Sequence, residues 1–86
     1  MKGKNLLKAI CETYSDVEIL KADGLDSAVI GIDSQSMRLI YSVDECVKAL
    51  VKRDGMAEDE AREFLEFNTF GAYAGPKTPI FMDNQF

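Results

Sequence analysis

The sequence predicts a small α+β fold, an antiparallel sheet of three to four strands covered on one face by about three helices. Three observations carry that class. Apolar residues recur at helical spacing around Leu7, Val47 and Leu65. Between the first two stretches lie short runs rich in branched residues, punctuated by Asp, Gly and Ser, the pattern of strands and tight turns. The 86 residues make a single domain, 1–86, since a chain of this length buries only about 60–65% of its unfolded surface. So small a core makes self-association a ready way to bury more.

Leu6, Leu7, Ile10, Cys11 and Tyr14 form one apolar stripe, predicting a first helix from Lys4 to Tyr14 that Ser15-Asp16 breaks. Val17 to Lys21 reads as a strand closed by the turn signal Ala22-Asp23-Gly24. Ser27 to Asp33 is nearly continuous in apolar character and reads as a central strand, with Gly31 marking a bulge or a close approach of backbone. After the polar connector Asp33 to Ser36, Met37 to Ser42 alternates and should pair with it as a hairpin.

Ser42 stands three residues before Glu45, the capping-box spacing, in which each side chain satisfies an orphan amide of the first helical turn. Val43, Cys46, Val47, Leu50 and Val51 form the stripe of this helix. Lys52 and Arg53 suit its negative end, and Gly55 supplies a left-handed stop. A third helix starts near Ala57, with Glu58, Asp59 and Glu60 at its positive end and Ala61, Phe64, Leu65 and Asn68 facing inward. Pro79 to Met82 is expected as a short edge strand.

Composition excludes several functions. Hydrophobic residues at 47% and charged ones at 29% are ordinary for a globular chain. The net charge of −5 argues against wrapping duplex nucleic acid and is too mild for mimicry of DNA. No apolar run reaches the roughly 18–20 residues a membrane span needs. The basic, then apolar N-terminus is interrupted by Lys8 and Glu12, so it reads as an amphipathic helix and not a signal peptide. The expected compartment is the cytoplasm, with Cys11 and Cys46 as buried free thiols.

With no histidine in the chain, the usual base for activating a nucleophile is missing, and two cysteines make no standard zinc site. Asp23, Asp26 and Asp33 lack the alternating ligands of a calcium loop. The expectation is a protein that is not an enzyme and carries no metal or cofactor.

The segment FLEFNTFGAYAGPKTPIF, Phe64 to Phe81, stands apart. Of three tyrosines and five phenylalanines, all but Tyr14 and Tyr41 lie at or after Phe64. Phe64, Phe67, Phe70 and Tyr73 are spaced by three, and on an α-helix each such step falls about 60° short of a full turn. The four rings therefore sweep roughly half the circumference, more than one core face absorbs. Either the helix tightens or ends near Asn68, or part of the arc faces a partner. Candidate ligand-binding residues are Phe67, Asn68, Thr69, Phe70, Gly71, Tyr73, Gly75, Lys77 and Thr78, with Arg38 and Arg53 as further cations for an anion. Two readings stand: a packed chain reversal, or a ligand or subunit contact built on the same residues.

Asp23-Gly24-Leu25-Asp26, Ala28-Val29-Ile30-Gly31, Arg53-Asp54-Gly55-Met56, Glu66-Phe67-Asn68, Gly71-Ala72-Tyr73, Gly75 and Thr78-Pro79-Ile80-Phe81 together resemble a widespread family of small bacteriophage proteins. The resemblance covers roughly residues 16–82 and is most specific in its second half. Ala57 departs from the small polar cap that the similar sequences carry there. The family brings no catalytic residues to transfer.

What the resemblance implies is context: a phage accessory protein acting in the host cytoplasm against host immunity. One mode is a homo-oligomer that sequesters a small anionic, nucleotide-type signal, and it predicts Arg or Lys beside a stacking aromatic. The alternatives are an inhibitor that covers a host defence protein, like an anti-CRISPR, and a structural or assembly accessory of the phage. The aromatic, glycine and Lys77 cluster favours sequestration.

Overall fold

The computed structural model describes residues 2–84. Helix α1 (Lys2–Thr13) leads through an extended stretch and a short 3-10 turn (Asp26–Ala28) into strand β1 (Val29–Ile32). Strand β2 (Leu39–Ser42) runs directly into helix α2 (Val43–Asp54), followed by α3 (Glu58–Leu65), a π-helical turn (Glu66–Phe70) and strand β3 (Ile80–Met82). The class is α+β, a three-stranded sheet in the order β1-β2-β3 with three helices.

The hairpin forms where expected. Val29 stands opposite Tyr41 and Ile32 opposite Leu39, and the register slips between Val29 and Gly31, so the glycine sits in a bulge. Asp33 ties the connecting turn. Its carboxylate accepts from the Ser36 hydroxyl at 2.8 Å and the Gln35 amide at 3.1 Å. Those bonds, Ser36 first, hold its pKa below the ordinary carboxylate value. Met37 takes a left-handed φ of 58°.

The sheet is mixed, because β3 pairs with β2 in parallel, Ile40 opposite Ile80 and Ser42 opposite Met82. Parallel neighbours need a long crossover, and residues 43–79, carrying two helices, supply it. Val17 to Lys21 is not a strand. Its branched residues report a need for burial more than for a pairing partner. Ile19 packs on the core as extended chain, and the Ala22 amide donates to the Tyr41 hydroxyl at 2.9 Å. That bond lets Tyr41 lie fully buried with its polar end satisfied.

The core draws Leu7 and Ile10 from α1, Leu39 and Tyr41 from β2, Cys46, Val47 and Leu50 from α2, and Ala61 and Leu65 from α3. At the start of α2, Ser42 Oγ accepts from the Glu45 amide at 3.2 Å and donates to Asn84 Oδ1 at 2.8 Å. The Glu45 carboxylate turns instead to Lys48 at 3.2 Å, so the expected box forms by half. Gly55 ends the helix at φ 67°. At the start of α3 only half a capping box exists. Glu60 accepts from the Ala57 amide at 3.3 Å, while the Ala57 methyl offers no acceptor in return. Three inward expectations fail: Val51, Phe64 and Asn68 are exposed. Val51 and Phe64 lie at the edges of their stripes, and Asn68 is turned outward by the π-helical turn in which it sits.

Candidate functional site

The helix ends near Asn68, at Phe70, and before it ends it does not tighten but widens. Ala61 and Leu65 are four apart and share the inner face of α3. Phe70 is five beyond Leu65, and in a continuing α-helix it would point about 140° away. The π-turn over Glu66–Phe70 closes its rings five residues apart and swings Phe70 back beneath Leu65. Phe70 then packs on Phe81 of β3 at 4.8 Å between ring centres, and Phe81 in turn on Tyr41 at 5.5 Å. Asn68, which an α-helix would have turned inward, faces out and donates to the Phe64 carbonyl at 3.0 Å.

The aromatic arc is therefore divided. Phe70 goes in, whereas Phe67 and Tyr73 are 82% and 81% exposed and Phe64 is 43% exposed. A ring left four-fifths in water adds nothing to the core.

The chain from Ala74 to Thr78 is a locked loop. Thr78 Oγ1 accepts from the Ala74 amide at 2.8 Å and donates to the Gly75 carbonyl at 2.6 Å. Gly75, at φ 98°, supplies a turn that an L side chain would strain. Two cations pin this loop to the β1–β2 turn: Arg38 Nε donates to the Thr78 carbonyl and Lys77 Nζ to the Ser36 carbonyl at 3.1 Å. For Gly75, Lys77 and Thr78 the packed-reversal reading accounts for the geometry. For Phe67 and Tyr73 it does not.

Of the predicted residues, Arg38, Phe70, Gly71, Tyr73 and Thr78 line one open groove of about 420 Å³. Val43, Pro79, Ile80 and Phe81 complete its walls. Periodicity does not single these out, because they reach the groove only through the parallel pairing of β3. Arg38 spends Nε on Thr78, and its terminal nitrogens have no partner among the described residues. The groove thus offers a guanidinium, an exposed phenol ring and an apolar wall.

Asn68 and Thr69 line a neighbouring, more apolar groove of about 440 Å³ with Leu20, Phe64, Ala72 and Phe81. Phe67 borders an open depression lined also by Phe64, Asn68, Asp59, Glu60 and Glu63. Arg53 lies elsewhere, in a groove of about 480 Å³ with Lys4, Lys52, Ser27, Gly24, Ala49 and Asp26. Lys4 was not among the cations the sequence pointed to.

Burial pushes the Cys46 thiol up to about 12, which keeps it protonated and a poor nucleophile. Cys11 is half-buried, and both thiols are free. No helix among the described residues is long and apolar enough to cross a membrane. No protein-family model, curated protein or solved structure matches the chain.

Proposed function

We propose that the protein is a non-catalytic binder that holds a small anionic, nucleotide-type ligand in the groove between Arg38 and Tyr73, working as a homo-oligomer. In the setting implied by its resemblance to small phage proteins, it withdraws a nucleotide signal of host immunity in the host cytoplasm. The observation that supports this is the pairing, in one groove, of an exposed Tyr73 ring with the Arg38 guanidinium. Its terminal N–H groups have no hydrogen-bond partner among the described residues, although the Asp33 carboxylate acts on its charge. A planar base stacks on the ring, a phosphate takes the guanidinium fork, and Phe70 and Phe81 back the apolar side. A protein of net charge −5 can still hold such a locally positive groove.

Melting the protein with a panel of cyclic and ADP-ribose-derived nucleotides tests the reading. A ligand present at about 100 times its Kd stabilises by about 2.7 kcal/mol, which in a domain of this size raises Tm by roughly 10 °C or more. No shift with any nucleotide rules the reading out.

A second reading has its own observation. Phe64 and Phe67, exposed beside Asp59, Glu60 and Glu63, form an apolar ridge with an acidic surround, the kind of surface an inhibitor of a host defence protein presents. A partner of that kind would bind without any nucleotide effect on Tm.

A further inference from the structure

We infer that the ridge around Phe67 of one copy docks into the cation-lined groove of a second copy of the same chain. Each half of this contact is incomplete alone. The ridge carries a phenyl ring that is 82% exposed and borders an open depression lined by the carboxylates of Asp59, Glu60 and Glu63. The groove is bordered by Lys4, Lys52 and Arg53 around Ala49 and Ser27, with Asp26 as its one carboxylate.

The charges on the two sides differ in how they are used. Lys48 is already shared between Asp44 and Glu45, at 3.1 and 3.2 Å. Lys4 and Lys52 make no ion pair among the described residues. Arg53 is fixed in place: it bonds the Gly24 carbonyl at 2.8 Å and pairs with Asp54 at 3.2 Å. Gly24 suits that position because its φ of 78° is left-handed, a conformation that strains an L side chain. An exposed ring among acids and an opening bordered by cations are complementary in sign, although Arg53 already shares its charge with Asp54 and is acted on by Asp23.

The surfaces are different patches of one molecule, so the contact is heterologous, head to tail, and builds a ring or an open chain of copies. The overall charge of −5 opposes association, and the local attraction must exceed it. Added salt screens both, but the close pairs dominate a docked interface, so salt weakens it. This inference takes up the oligomer of the proposed reading and not its ligand.

Sedimentation velocity of the full chain, over a range of concentrations at roughly 0.05 M and 0.5 M salt, tests it. The wild type should associate at low salt and dissociate at high salt. Phe67→Ala, Glu63→Lys and Lys52→Glu should each raise the dissociation constant roughly tenfold or more. Glu63→Lys and Lys52→Glu combined in one chain should restore association. All three positions are exposed, and an unchanged circular dichroism spectrum confirms each fold.

A wild type that stays monomeric at every concentration in low salt overturns the inference. So does an oligomer that survives both Phe67→Ala and Lys52→Glu, which returns the ridge to a foreign protein. Nucleotide melting shifts measured on the same proteins keep the two ideas apart. A monomeric Phe67→Ala that still responds to nucleotide upholds the ligand groove, whereas an associating wild type with no response upholds only the contact.

Discussion

Ser42–Gly55 and Phe64–Phe81 each bring a helix to its end and pass the chain on, using different information. In the first, every instruction acts close to where it is written. Ser42 receives the amide of Glu45, Lys48 spans Asp44 and Glu45, and Gly55 turns the backbone at φ 67°. In the second, the helix is redirected by Phe81 on another element, and its exit is pinned by Arg38 and Lys77 across 40 and 41 residues. Local instruction places the centre of an apolar stripe inward, Cys46, Val47 and Leu50, with Val51 at its exposed edge. Distant instruction pulls in one ring, Phe70, and leaves Phe67 and Tyr73 in water. The first region therefore serves stability, and the second presents the surface of the proposed binding site.

Substitutions should separate the two. The largest loss is expected inside the locally specified region: Leu50→Ala empties a fully buried position and should destabilise by about 2–5 kcal/mol in denaturant titration. A loss below about 1 kcal/mol would mean that the core collapses freely onto the gap.

Alkaline pH attacks the same region next. Cys46, raised to about 12 by burial, ionises near 9 in the unfolded chain. The neutral thiol's contribution is fully present below pH about 9 and is lost as pH rises toward 12, because only the unfolded state releases the proton. Tyr41, raised by burial as well, adds to the fall in the same direction. Melting curves between pH 8 and 12 should show Tm declining more steeply for the wild type than for Cys46→Ala. Parallel curves would remove Cys46 from the account.

Ser42→Ala comes third. It deletes the acceptor for the Glu45 amide and the donor to Asn84, for a loss of about 1 kcal/mol. The smallest effect belongs to the other region: Phe67→Ala should leave stability within about 0.5 kcal/mol. If it destabilises as much as Leu50→Ala, Phe67 is core, and the division between the regions fails.

What the sequence made legible follows the same boundary. The capped helix, its stripe apart from Val51, the hairpin with its bulge at Gly31 and the left-handed Gly55 all rest on neighbours in sequence, and all stand in the structure. The parallel entry of β3, the unpaired Val17 to Lys21 stretch and the π-turn rest on contacts between remote elements, where local pattern is silent. The three-residue aromatic spacing did announce that one face was insufficient. It did not say which rings would be left outside, because that depends on Phe81. Arg38 and Tyr73, both named as candidates, meet in one groove, while Arg53 belongs to another.

The most direct test of the central claim, that Tyr73 in the exposed remainder of the arc binds a ligand beside Arg38, is nucleotide-dependent melting of the wild type beside Tyr73→Ala. The wild type should gain roughly 10 °C or more at saturating ligand. Tyr73→Ala should melt at the wild-type temperature when free and lose most of the gain. An undiminished gain in Tyr73→Ala, or no gain in the wild type with any nucleotide, would contradict it.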